Sequence, residues 1–106
     1  MNDRLLNFLG LCKRAGYLIS GADTVIRAIR ERKALLVLIA ADQSPNSTKN
    51  VLFAAEQAGV TVKTLDRSKE ELSFALGKHC GIICVTDRGF ADKLLTMIEL
   101  SEEPHI

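Results

Sequence analysis

The stretch GYLISGADTVIRAIRERKALLVLIAADQS, residues 16–44, decides the fold. Its second half, ALLVLIAA at 34–41, is a continuous apolar run too short for an independent helix and rich in branched residues. It therefore reads as a central strand buried on both faces. Before it, Val25, Ile26, Ala28 and Ile29 supply the buried stripe of a helix, with Ser20 as its N-cap and Arg27 and Arg30 on the opposite side. Arg32 and Lys33 extend that basic face on the same reading. Tyr17-Leu18-Ile19 leaves room only for a short extended piece, and Gly16 sits where a left-handed C-cap ends a preceding helix.

Toward the N-terminus, Leu5, Leu6, Phe8, Leu9 and Cys12 recur at three- and four-residue steps and predict that first helix. Toward the C-terminus, Pro45 punctuates DQSPNSTKN (42–50), and Asn46 or Ser47 can cap a third helix through Val51, Leu52, Ala54 and Ala55 to Gly59. VTVKTL (60–65) alternates as a strand does. Ser68 with Glu71 three residues later has the spacing of a capping box for a short helix through Leu72, Phe74, Ala75 and Leu76, stopped by Gly77. GIICVT (81–86) is another buried strand, and Asp87 can cap a last helix carrying Phe90, Leu94, Leu95 and Ile98. Strands alternating with helices predict an α/β protein, a three-layer α/β/α sandwich with a central mixed sheet of about four strands. Residues 1–100 form one domain on this reading, followed by a polar tail at 101–106.

The composition narrows the class. A chain of 106 residues with 47% apolar side chains can build one core without staples. The first apolar run is broken by Asn7, Gly10, Lys13 and Arg14, and no stretch approaches the roughly 20 apolar residues of a membrane span, so a cytoplasmic protein is expected. Cys12, Cys80 and Cys84 match no disulfide framework and are expected as free thiols. The formal net charge is only +1, which excludes a nonspecific polyanion binder. It is unevenly spread, however: residues 1–33 carry seven basic and three acidic side chains, and residues 34–106 carry seven and ten. A local basic patch in the first third is compatible with that division.

Catalytic and metal chemistry find little support. His79, Cys80 and Cys84 resemble metal ligands, but a C-x-x-x-C pair within a strand lies on one face about 13 Å apart, too far to share a zinc ion. His105 stands next to the C-terminus, and no nucleophile elbow, dinucleotide fingerprint or phosphate-binding loop motif occurs. Asp42 and Asp87 follow buried strands, where turn formation and helix capping account for them. No enzyme activity, cofactor or metal is expected. The helix beginning at Gly21 is different, because its first N–H groups can meet a phosphate or a base without obstruction by a side chain, and Arg27 lies about two turns further on. Two readings of this element stand side by side, an anion-docking helix start and an ordinary solvated basic face.

The order of four segments adds a resemblance. SGADTVIRAIRERKALLVLIAAD, SPNSTK, SKEELSFALGK and VTDRGFADKLL, in that order, are similar to the kink-turn RNA-binding ribosomal-protein superfamily, and more closely to its bacterial branch of short stand-alone proteins of the YlxQ type. The resemblance covers about residues 3–98. It implies an α/β/α fold and binding, without catalysis, to a sharply bent RNA internal loop with sheared G·A pairs. It also implies that Gly21, Ala22, Asp23 and Thr24 read those pairs, that Arg27 meets a phosphate, and that the loop GKHCG at 77–81, with Lys78 and His79, packs on a flipped-out nucleotide; Arg30, on the same basic face, is expected to reach a phosphate as well. The implied partner is structured RNA of the ribosome, and a monomer is expected. This chain departs from the family pattern in carrying Asp23 and Thr24 where Asn and Glu are usual, and Leu35 where a lysine is usual. A ribosome-associated protein-interaction module with the same fold and little RNA affinity is the alternative.

Overall fold

The computed structural model describes residues 3–102. Five helices and four strands alternate along it: α1 (Arg4–Arg14), β1 (Leu18–Ser20), α2 (Ala22–Arg30), β2 (Leu36–Ile39), α3 (Pro45–Ala58), β3 (Thr61–Thr64), α4 (Lys69–Leu76), β4 (Ile82–Val85) and α5 (Arg88–Glu102). The strands form one sheet in the order β1-β4-β2-β3, in which β4 runs antiparallel to both β1 and β2, and β3 runs parallel to β2. The two central strands are buried on both sides, as their unbroken apolar runs require. Leu36, Leu38, Ile83 and Val85 point into a core shared with α1, α4 and α5, whereas Val37, Ile39, Ile82 and Cys84 point into a second core under α2 and α3. Each fully buried Leu, Ile or Val contributes about 1.5–3 kcal/mol relative to an exposed one, so the leucine-rich core under α1, α4 and α5 holds the sheet more strongly than the alanine-rich one under α2 and α3.

Local chemistry sets the ends of the elements. Ser68 Oγ accepts from the Glu71 amide at 3.1 Å while Glu71 Oε1 accepts from the Ser68 amide at 2.9 Å, closing the expected capping box on α4. Gly59 and Gly77 end α3 and α4 in the left-handed conformation. Asp87 Oδ2 accepts from the Phe90 amide at 3.0 Å at the start of α5. That helix continues to Glu102, so Ser101 and Glu102 of the expected tail are helical, while residues 103–106, with His105, lie outside the described residues.

Several expectations are corrected. Helix α3 starts two to three residues earlier than a cap at Asn46 or Ser47 suggests: Ser44 is its N-cap, with Oγ accepting from the Asn46 amide, and Pro45 takes the first position, where its missing N–H goes unneeded. Ser20 does not cap α2, because it is the last residue of β1, in register with Ile83, and the chain turns only at Gly21. Leu52 and Phe74 are not core residues; they are 45% and 80% exposed, on the outer sides of α3 and α4. Arg32 and Lys33 lie beyond α2, which ends at Arg30.

That ending explains Arg32. The Arg32 amide donates to the Ile29 carbonyl and the Lys33 amide to the Ala28 carbonyl, which is the double bond of a Schellman C-cap. The motif needs a left-handed residue, and α1 uses Gly16 (φ +86°) for the same purpose, with the amides of Gly16 and Tyr17 returning to Lys13 and Cys12. In α2 the position falls on Arg32 at φ +63°, the one non-glycine residue with positive φ among the described residues. An L side chain there is strained by roughly 1 kcal/mol. Arg32→Gly is expected to raise stability by about 0.5–1 kcal/mol in urea denaturation; a loss would mean that the arginine side chain makes a compensating contact.

Candidate nucleic-acid interface

Register places four chain turns at one end of the sheet. Ser20 pairs with Ile83 and Ile39 with Ile82, so β1 and β2 end where β4 begins, and the parallel strand β3 ends beside β2. Hydrogen bonds tie these turns together. The Gly21 amide donates to the Ile82 carbonyl at 2.9 Å, the Ala40 amide to the Gly81 carbonyl at 2.8 Å, and the Ala41 amide to the Arg67 carbonyl at 2.8 Å. Asp42 Oδ1 accepts from the Lys69 amide at 2.9 Å, so this carboxylate serves the first turn of α4 and does more than shape its own loop. Arg67 is anchored in turn by Asp3, with Nε 2.7 Å from Oδ2; that hydrogen bond holds the Asp3 carboxyl below its ordinary pKa.

Gly21 begins α2 at φ +101° and ψ +138°, a backbone conformation that side-chain-bearing residues rarely adopt. No side chain caps the helix, so its first amides have no side-chain partner. Thr24 is turned inward on its own turn: its hydroxyl donates to the carbonyls of Ser20 and Gly21. Asp23 is exposed beside it, and its carboxylate adds a negative charge at the positive end of the helix. The start of α2 therefore offers main-chain donors, the lone pairs of Thr24 and one carboxylate.

The loop 77–81 enters β4 next to this helix start. Gly77 ends α4, and the preceding Leu76 carbonyl accepts from Lys13 Nζ. Lys78 and His79 are exposed on the loop. Gly81 is buried under the Gln43 side chain, whose Oε1 lies 2.0 Å from where a Cβ would stand, so the glycine is what lets the two loops cross. The turn that leads into Ala22–Thr24 is thus bonded to Ile82, the first residue of β4, into which the loop with Lys78 and His79 leads.

Arg27 and Arg30 lie exposed along α2 and make no hydrogen bond or ion pair among the described residues. They border an open groove of about 500 Å³ between α2 and α3, with Asp23 and Glu31 on the same side and Asn50 and Phe53 opposite. Asn50 and Phe53 were not singled out by sequence reasoning. The signal was present: Val51, Ala54, Ala55 and Ala58 define the inner stripe of α3, and Phe53 falls outside it, three residues after Asn50 on a shared outer face.

Of the three cysteines only Cys80 belongs to this end, within the loop 77–81. Cys12 and Cys84 are buried, and burial pushes their thiols up to about 11 and about 12, which leaves them protonated and unreactive near neutral pH. Cys80 is not in the strand, as its spacing from Cys84 suggests; β4 starts only at Ile82, and Cys80 packs toward the α1/α4/α5 core while Cys84 packs toward α2 and α3. The two-residue period that would put both on one face does not reach Cys80.

A mixed four-stranded sheet between two helical layers, presenting an uncapped glycine-led helix start beside a cationic loop, defines the class: a small α/β/α module built to present one end of its sheet. The chain belongs to the ribosomal protein L7Ae/L30e/S12e/Gadd45 family, whose model matches residues 3–95. It is 38% identical over 92 residues to the RNA-binding protein YlxQ of Bacillus subtilis (strain 168), covering 86% of this chain and 91% of that protein. Its structure is similar to that of a Bacillus halodurans C protein of unknown function, at 30% identity and a TM-score of 0.86 over 92% of this chain and 99% of that one. The 15.5kD RNA binding protein of Giardia lamblia shares the fold at 22% identity and a TM-score of 0.76, over 94% of this chain and 92% of that one. No helix among the described residues is long and apolar enough to cross a membrane.

Proposed function

We propose that this chain is an RNA-binding protein that recognises a kink-turn or a related bent internal loop in structured, ribosomal RNA, acting as a cytoplasmic monomer and without a chemical step. The observation that carries the reading is the uncapped start of α2 at Gly21, whose turn is bonded to Ile82 where the loop 77–81 enters β4. Membership of a family of ribosomal proteins and the likeness to an RNA-binding relative support it. On this reading the amides of Ala22–Thr24 and the Asp23 side chain face base edges, Arg27 and Arg30 neutralise phosphates, and Lys78 and His79 border the flipped-out nucleotide. Recognition by the shape of an RNA together with a few edge contacts is the usual mode for proteins. Asp23 favours a second reading, a ribosome-associated protein-interaction module with little RNA affinity, because a carboxylate at the helix start opposes phosphate.

A mobility-shift titration against a kink-turn duplex and a straight duplex of equal length separates the two. The kink-turn is expected to bind at least tenfold more tightly. With about three or four phosphate contacts from Arg27, Arg30 and their neighbours, log K against log salt should slope at roughly −2 to −4. Equal weak binding to both duplexes would remove the RNA reading in favour of the protein-interaction module.

A further inference from the structure

The groove between α2 and α3 holds a side-chain set that the helix start alone does not explain. Phe53 is 60% exposed and makes no ring contact among the described residues, although α3 has a complete inner stripe without it. Asn50 lies one turn before it on the same helix. Facing them, Arg27 and Arg30 stand on adjacent turns of α2 with no carboxylate within ion-pair distance among the described residues, although Asp23 and Glu31 border the same groove, Glu31 being paired with Lys33 at 3.3 Å. An exposed aromatic ring, an amide and two free guanidiniums around one cleft form the set that takes up an unstacked nucleotide: a π-face for the base, paired donor and acceptor for its edge, and planar cations for the flanking phosphates. The apolar lining is too small to seat the apolar face of a partner helix, since Phe53 and the half-buried Ile26 make up all of it.

Position selects the occupant. Asp23 belongs both to the first turn of α2 and to the mouth of the groove, so a strand leaving the helix start passes directly into the cleft. Arg27 follows about 6 Å further along the helix and Arg30 a further turn beyond. The geometry points to a subsite for an unpaired nucleotide of the bound RNA, next to the bent loop, with Phe53 stacking on the base, Asn50 reaching its edge, and Arg27 and Arg30 holding the phosphates on either side. This inference rests on the RNA-binding reading and adds to it a contact surface on α3 and a preference for RNA in which one strand stops pairing close to the bend.

The test uses a blunt kink-turn RNA and versions in which one stem is shortened so that one strand continues unpaired for three nucleotides, at the 5′ or the 3′ side, with 2-aminopurine in the extension. One of the extensions is expected to tighten binding by roughly fivefold or more and to quench the 2-aminopurine fluorescence on binding. Phe53→Ala should lose that gain and the quenching while binding the blunt RNA as the parent does, and Phe53→Tyr, which keeps the ring, should retain both. The exposed position of Phe53 leaves the core untouched in either variant. Normal binding of the blunt kink-turn with no gain from any extension, or a gain that survives Phe53→Ala, overturns the subsite alone. Blunt kink-turn binding no tighter than a straight duplex overturns the RNA reading and the subsite with it.

Discussion

Gly21→Leu is expected to lose about 2–3 kcal/mol of stability and at least tenfold in kink-turn affinity. The two losses have different origins. At φ +101° and ψ +138° the backbone occupies a region that is essentially reserved for glycine, and an L residue held there is strained by about 1–3 kcal/mol. A Cβ would also lie 3.1 Å from Thr24 Oγ1, whose hydroxyl is engaged with the carbonyls of Ser20 and Gly21, so the first turn of α2 must loosen to admit it. The glycine serves the turn between β1 and α2 before it serves any ligand, so the leucine disturbs the fold as well as the site. For RNA, the leucine side chain adds bulk beside the uncapped amides at the start of the helix. Urea denaturation gives the first effect, and titration well below the variant's melting temperature gives the second. Parent-like affinity in a destabilised but folded variant would show that Gly21 is there for the backbone only and that RNA is read elsewhere.

What could be read from the sequence follows the range of the interactions involved. The capping box of Ser68 and Glu71, the left-handed glycines at 16, 59 and 77, and the burial of β2 and β4 depend on residues within four or five positions of one another, and local patterns carry them. The errors share the opposite property. Ser20 looks like an N-cap until its pairing with Ile83, sixty-three residues away, holds it in the sheet. Asp42 looks like a turn residue until Lys69 brings the first amide of α4 to it. The groove is the same case at larger scale: Arg27 and Arg30 were visible as a basic face and Asn50 and Phe53 as the outside of another helix, but only the packing of α2 against α3 makes them one surface. Arg32 is the exception, a local Schellman ending hidden because the residue that usually marks it, glycine, is absent.

Asp23→Asn is expected to tighten kink-turn binding by about 1–2 kcal/mol, roughly five- to thirtyfold. Asp23 is exposed in the first turn of α2, with no hydrogen bond to its carboxylate among the described residues, so its charge is not absorbed by a neighbour. Facing RNA, that charge acts twice. It repels nearby phosphates, by about 1 kcal/mol for unit charges 4 Å apart in a water-like dielectric, and as a carboxylate it cannot donate to an acceptor on a base edge, whereas an amide of the same shape can. One restored hydrogen bond is worth about 1 kcal/mol. The same change should cost the fold about 0.3–1 kcal/mol, because a carboxylate near the N-terminus of a helix is favourable to its dipole. The signs are therefore opposite, with weaker folding and tighter binding in one variant, and thermal melting with RNA titration on the same preparation reads both. Added salt provides the internal check: screening weakens the repulsion, so the advantage of Asn over Asp should shrink as ionic strength rises, leaving the hydrogen-bond part. Lower stability with unchanged affinity at every salt concentration would mean that Asp23 serves only the helix, and the protein-interaction reading would then be the better account of this end of the sheet.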